Sequence, residues 1–192
     1  GIHKFCFSEK YNLTEKSDFL LQQNRILYQW SKYWDLEKDI LVQKSPSAII
    51  HTRFIQEMLP DSYFILIKRH PLFYYYSLYE WDNTYDIEVL LNHWIQAHKI
   101  FNIDKKKIKN VIEIKSEEFI ENPLKVLNDI NNFLNFDLKI DDFRNIYNPK
   151  SNINYREKWD EYNNKEYIID KYESLINIYG YSFYTLSGKN NK

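Results

Sequence analysis

The sequence predicts an α/β fold in which helices flank a parallel β-sheet. Three short apolar runs, at residues 39–43, 62–68 and 109–114, are typical of buried strands. The segments between them are longer and repeat apolar residues at steps of three and four, which is the periodicity of an α-helix. Because strands and helices alternate along the chain, the strands are expected to lie parallel in one sheet.

Three segments have helical periodicity, at residues 16–38, 86–104 and 163–179. Gly180 follows the last of them, where a glycine commonly ends a helix. Residues 148–160 are mostly polar and are predicted to form a loop.

Prolines mark further helix starts, because proline favours the first turn of a helix. They predict helices that begin at Pro46, Pro71 and Pro123. His70 and Asn122 come directly before two of these prolines and are expected to cap the helices.

Composition limits the class of protein. The chain has 192 residues, of which 44% are hydrophobic and 28% charged, so a single domain over residues 1–192 is predicted. A net charge of −1 argues against a surface that attracts nucleic acid as a whole, and no apolar run approaches the roughly 18 residues of a membrane span. Cys6 is the only cysteine, which excludes an internal disulfide and leaves both the cytosol and a Golgi-type lumen open.

Basic residues follow two of the predicted strands. Lys44 and Arg69 come at strand ends, and each is followed by a proline that starts a helix. The carboxyl ends of parallel strands and the N-termini of helices are both places where anions bind. Ser77 lies eight residues after Arg69, and the two side chains are able to hold one phosphate between them. The pair alone favours the alternative, in which Lys44 is solvated and Arg69 pairs with a carboxylate such as Glu80.

The order of these segments resembles the sulfotransferase family, which transfers a sulfuryl group from 3′-phosphoadenosine 5′-phosphosulfate (PAPS). The resemblance rests on KSP, on LPDSYFILIKRHP, on Ser77 and on IKSEEFIENPLKVLNDINNFLNF, and it extends over residues 40 to 182. The family's motif for the 3′-phosphate is an Arg, a Pro and a Ser, and it matches Arg69, Pro71 and Ser77. The family's lysine near the reacting sulfate matches Lys44, which is the catalytic candidate.

The resemblance implies further properties. Tyr155 and Trp159 fit a Tyr-x-x-x-Trp pattern in a late loop that closes over the cofactor, and are the other cofactor-binding candidates. The implied fold is P-loop-NTPase-like. The implied cofactor is PAPS without a metal, and the implied acceptor is a hydroxyl or amine compound such as a glycan.

The family's Gly/Ser-rich loop for the 5′-phosphosulfate does not occur in this sequence, whose only glycines are Gly1, Gly180 and Gly188. We therefore expect an N-terminally truncated sulfotransferase domain whose loop lies before Gly1. The family's catalytic Glu would also fall at Gly1, with His3 and Glu9 as its nearest substitutes.

Two other functions stay open. The first is a non-catalytic, sulfotransferase-like module that recognises a glycan or a protein partner. The second is a P-loop kinase relative, which would need Mg²⁺ ligands and a Walker lysine that the sequence does not show.

Overall fold

The computed structural model describes residues 5–7, 13–14, 19–137 and 150–186. His3 and Glu9 lie outside these residues. The chain forms two compact units: the first takes residues 1–64 and 96–110, and the second takes residues 65–95 and 111–192. A single domain over the whole chain stays a prediction.

The described residues contain eight α-helices and two β-strands. In chain order these are α1 (Phe19–Ser31), α2 (Thr52–Met58), β1 (Phe64–Lys68), α3 (Pro71–Tyr79), α4 (Ile87–Asp104), β2 (Val111–Lys115), α5 (Ser116–Glu121), α6 (Pro123–Leu134), α7 (Lys150–Asp160) and α8 (Lys165–Asn177). Short 3-10 helices lie at Phe5–Phe7 and Pro46–Ile50.

The two strands pair as a small parallel sheet. This confirms the parallel arrangement predicted for the second and third apolar runs. The strand predicted at residues 39–43 is wrong, because this stretch pairs with no strand in the described part of the chain. Ile40, Leu41 and Val42 are exposed, and the Val42 carbonyl accepts a hydrogen bond from Trp34 Nε1 at 3.0 Å. A run of apolar residues forms a β-strand only where a neighbouring strand hydrogen-bonds to its backbone N–H and C=O groups.

The continuous apolar run of β1 predicted a strand that is covered on both faces. The structure shows that only one face is covered. Burial alternates along β1, so that Ile65 and Ile67 are 39% and 66% exposed while the other three residues of the strand are half-buried. The run is apolar on both faces, but only one of them is covered by the rest of the chain. The sheet is therefore smaller and more open than the sequence predicted.

The helices mostly match their predicted positions, with four differences. α1 is shorter than residues 16–38, because turns follow Ser31. α5 was not predicted, and the helix expected from Pro46 is a five-residue 3-10 helix followed by α2. The loop predicted at residues 148–160 is wrong for its described part, which is helix α7.

Capping side chains start two of the predicted helices. The Asn122 side chain accepts the backbone N–H of Lys125, and Pro123 occupies the first position of α6. His70 accepts the backbone N–H of Leu72 at the start of α3. Both capping predictions are confirmed, because a side-chain acceptor next to a proline satisfies the free N–H groups of the first helical turn.

The core of the second unit is rich in aromatic side chains. Its buried members come from α3, α4, α7, α8 and the segment after α8, and they include Phe73, Tyr76, Trp94, Tyr155, Trp159, Tyr172, Tyr181 and Phe183. Phe73 and Tyr155 belong to this core, and they hold α7 against α3. The first unit has a separate, smaller cluster around Cys6, Ile50 and Ala97.

Candidate functional site

The candidate site begins at the turn between β1 and α3, which consists of Arg69 and His70. The His70 ring is fully buried, and its Nδ1 accepts the Leu72 N–H at 3.2 Å. Nε2 must therefore carry the proton, and it donates to the Ser182 carbonyl at 3.1 Å. His70 thus joins the start of α3 to the segment after α8.

Glu117 fixes the same turn from the other side. Its Oε1 accepts the backbone N–H of His70 at 2.7 Å, and its Oε2 lies 3.4 Å from the Tyr181 hydroxyl. Burial raises the pKa of Glu117, while the hydrogen bond from the His70 backbone opposes that rise. The SEEFIENP segment therefore has a structural role, because the Glu117 carboxylate positions the backbone next to Arg69.

The buried state of His70 predicts a pH-dependent stability. Burial lowers the pKa of His70 from its ordinary 6.5 to about 4, and the nearby charges of Arg156 and Lys115 act in the same direction. As the pH falls below 6.5, His70 is protonated in the unfolded chain before it is protonated in the folded protein. The contribution of neutral His70 to the free energy of unfolding is therefore complete above pH 6.5 and is lost as the pH falls towards 4. Between pH 7 and pH 5 we expect this group to reduce the free energy of unfolding by about 2 kcal/mol.

Urea unfolding at several pH values measures this effect in the native protein and in His70→Asn. Asparagine retains a side-chain acceptor for the helix cap but does not titrate. We expect the variant to be less stable at neutral pH, with a shallower fall in stability below pH 6.5. Parallel pH profiles for the two proteins would contradict the prediction.

Arg69 lies just before α3, and hydrogen bonds fix both its backbone and its side chain. Its carbonyl accepts a hydrogen bond from Trp94 Nε1 at 3.2 Å, and its Nη2 donates to Asn152 Oδ1 at 2.7 Å. The guanidinium carbon is 5.6 Å from the Tyr155 ring centroid and 5.8 Å from that of Phe73. Because Asn152 is a neutral partner, this hydrogen bond does not neutralise the positive charge of Arg69.

Ser77 reaches the same place from the second turn of α3. Its side chain interacts with Tyr155, whose ring also contacts the Arg69 guanidinium. Burial raises the pKa of Tyr155 to about 12, and the hydrogen bond to Glu80 adds to that rise. Arg69 and Ser77 thus converge at Tyr155, whereas phosphate binding by them stays a prediction.

Glu80 contacts Tyr155 and Lys158 at the end of α3. Its Oε2 accepts the Tyr155 hydroxyl at 2.7 Å, and its Oε1 lies 3.0 Å from Lys158 Nζ. The hydrogen bonds from Tyr155 and Lys158 lower the pKa of Glu80, and the more distant charge of Arg69 contributes less. The sequence suggested Glu80 as a partner for Arg69, but the hydrogen bond of Arg69 goes to Asn152 instead.

Trp159 lies one helical turn beyond Tyr155 and belongs to the core. It is 1% exposed, and its ring stacks on those of Tyr162 and Phe183 at centroid distances of 5.7 and 5.4 Å. A cavity of about 450 Å³ lies next to it, with Arg156 and Lys165 among the lining residues. A cofactor contact at Trp159 stays a prediction, and the structural part of its role is packing.

Lys44 lies in the first unit, where it is exposed and precedes the 3-10 helix at Pro46–Ile50. The neighbouring Ser45 does not cap this helix with its side chain, because its hydroxyl pairs with that of Ser47 at 2.9 Å. The α-helix N-terminus that the sequence predicted directly after Lys44 is therefore a short 3-10 turn. The catalytic role of Lys44 stays a prediction.

Four further side chains at this site were not identified as site residues from the sequence. They are Glu80, Asn152, Arg156 and Lys158. Arg156 lies 6.0 Å from the Phe73 ring centroid, and Arg69 contacts the same ring. Three of the four lie on α7, and the three- and four-residue spacing of Asn152, Tyr155 and Trp159 was the signal for a helix there.

A parallel strand that ends in basic residues and leads into a capped helix is typical of α/β proteins that bind phosphorylated ligands. The chain belongs to the sulfotransferase family, whose family model matches residues 7–141, more than half of its length. The match includes Lys44, Arg69 and Ser77, and it ends before α7. Searches of curated proteins and of solved structures found no match.

Membership of this family supports a sulfotransferase function in general and implies an acceptor substrate. None of the helices in the described ranges has the length and apolar character needed to cross a membrane. Within the same ranges, no three His, Cys, Asp or Glu side chains are grouped as metal ligands would be.

Proposed function

We propose that this chain is a sulfotransferase that uses PAPS as donor and a hydroxyl or amine compound as acceptor, and that the turn between β1 and α3 binds the 3′-phosphate of PAPS. The observation that carries the proposal is the convergence of Arg69 and Ser77 at Tyr155, beyond the carboxyl end of β1. A guanidinium whose hydrogen-bond partner is a neutral amide and a hydroxyl next to it suit a phosphate, because both can donate to its oxygens.

When bound, PAPS would supply the sulfuryl group and a bisphosphate leaving group for an in-line displacement. The guanidinium of Arg69 binds the 3′-phosphate through charge-assisted hydrogen bonds, and the Ser77 hydroxyl adds a neutral one. Tyr155 orients both side chains, because its ring packs against Arg69 and its side chain interacts with Ser77. By resemblance to the family, Lys44 stabilises the charge that develops around the transferred group.

The sharpest test of this function compares PAPS with adenosine 5′-phosphosulfate, which differs only by lacking the 3′-phosphate. Calorimetric titration of the native protein is expected to give at least about tenfold tighter binding of PAPS, since one charge-assisted hydrogen bond contributes roughly 1.5–3 kcal/mol. Adenosine 2′,5′-bisphosphate, with its phosphate on the neighbouring carbon, should bind more weakly than the 3′,5′-isomer. Equal affinity for PAPS and adenosine 5′-phosphosulfate would leave the non-catalytic binding module as the better hypothesis.

A further inference from the structure

The carboxylate of Glu80 lies at the edge of the site proposed for the 3′-phosphate. Glu80 follows Ser77 by three residues, which places the two side chains next to each other at the end of α3. Both residues interact with Tyr155, whose hydroxyl donates a hydrogen bond to Glu80 at 2.7 Å. An anion held by Ser77 and Arg69 would therefore approach a carboxylate that Tyr155 already binds.

The phosphate and the Glu80 carboxylate are both negatively charged, so their approach is unfavourable. Glu80 keeps its negative charge at neutral pH, because the hydrogen bonds from Tyr155 and Lys158 lower its pKa. Lys158 offsets part of that charge through an ion pair of 3.0 Å, but this pair is about half exposed and is therefore partly screened by water. A carboxylate close to a phosphate dianion opposes its binding, whereas it has little effect on a ligand that carries a hydroxyl at the same place.

We propose that Glu80 is a specificity-determining residue, whose carboxylate competes with the 3′-phosphate for Tyr155 and Lys158 and limits the affinity for nucleotides that carry that phosphate. The inference rests on the proposed function of Arg69 and Ser77. Glu80 accepts hydrogen bonds from Tyr155 and Lys158, which are donors that suit a phosphate oxygen, so binding of the phosphate requires that these donors be shared or released. A moderate affinity for the bisphosphate product favours its release after each transfer.

The test uses Glu80→Gln, which preserves the shape and the hydrogen-bond acceptor but removes the charge. We expect adenosine 3′,5′-bisphosphate to bind Glu80→Gln about fivefold more tightly at low salt, as for removal of one like charge near a solvent-exposed site. The gain should shrink as salt is added, because exposed charges are screened. Adenosine 5′-phosphosulfate, which has no 3′-phosphate, should bind both proteins equally.

Glu88→Gln is a matched control in the same unit. Like Glu80, Glu88 accepts hydrogen bonds from a lysine and a tyrosine, in this case Lys171 and Tyr172. The substitution changes the net charge of the protein by the same amount, so any general electrostatic effect appears in both variants. We expect Glu88→Gln to leave the Kd for adenosine 3′,5′-bisphosphate unchanged within about twofold, because the Glu88 carboxylate is paired with Lys171 of α8 and not with the side chains around Arg69.

The outcomes separate this inference from the function on which it rests. Binding that weakens in Arg69→Ala and tightens in Glu80→Gln, but not in Glu88→Gln, supports both. Binding that weakens in Arg69→Ala but is unchanged or weaker in Glu80→Gln overturns the role of Glu80 and leaves the proposed function standing. Binding that does not respond to Arg69→Ala overturns both, and so does the absence of binding to the native protein and Glu80→Gln alike.

Discussion

Replacing Arg69 with alanine is expected to weaken the binding of adenosine 3′,5′-bisphosphate by about tenfold to a hundredfold. The guanidinium can donate two hydrogen bonds to one phosphate, and both are strengthened by charge. Its place is set by Asn152, Tyr155 and Phe73, so little conformational freedom is lost when the ligand binds. Isothermal titration calorimetry of the native protein and the variant measures the effect directly.

Three comparisons make the measurement specific. Ser77→Ala should weaken binding less, because a neutral hydrogen bond contributes only about 0.5–1.5 kcal/mol. Arg69→Lys should give an intermediate affinity, since an ammonium keeps the charge but loses the planar fork of donors. Arg25→Ala removes an exposed arginine of α1 and should leave the affinity unchanged. If Arg69→Ala binds as tightly as the native protein, the 3′-phosphate does not bind at this turn.

Replacing Trp159 with alanine is expected to lower the free energy of unfolding by about 3–5 kcal/mol, the cost typical of removing a fully buried large aromatic side chain. The indole is 1% exposed and stacks between Tyr162 and Phe183, and it also belongs to the same core as Tyr155. Its loss leaves a cavity between α7 and the segment after α8. Urea unfolding, followed by far-ultraviolet circular dichroism, measures the change.

Trp81→Ala is the matched control, because it removes the same side chain where it is 89% exposed. We expect it to change the free energy of unfolding by less than about 0.5 kcal/mol, as for most surface substitutions. The comparison also tests the role that the family resemblance implied for Trp159. A Trp159→Ala protein that keeps its stability but loses nucleotide affinity would show that the indole acts on the cofactor and not in the core.

Local sequence patterns were sufficient for several elements around the site. Phe64–Lys68 is an apolar run between a turn and a proline, and Pro71 and Pro123 begin helices because their fixed φ angle suits the first turn. The side chains of His70 and Asn122 cap those helices from the adjacent position. The eight-residue spacing from Arg69 to Ser77 then follows, since a strand end and two helical turns separate them.

Tertiary contacts decided which apolar run forms a strand and whether the polar segment before residue 160 forms a helix. Residues 39–43 and the run in β1 are similarly apolar, but only β1 found a neighbouring strand, and that strand lies more than forty residues away in the chain. α7 is polar enough to suggest a loop, yet it is a helix whose Tyr155 and Trp159 are buried against α3 and the segment after α8.

The sequence by itself determined the β1–α3 turn and placed Arg69 and Ser77 two helical turns apart, because proline geometry, helix capping and strand length depend on neighbouring residues. Only the tertiary structure decided that Tyr155 joins them, that Asn152 holds Arg69 and that Glu80 pairs with Lys158. Each of these contacts joins residues more than seventy positions apart, and such a contact depends on how whole elements pack rather than on any local pattern.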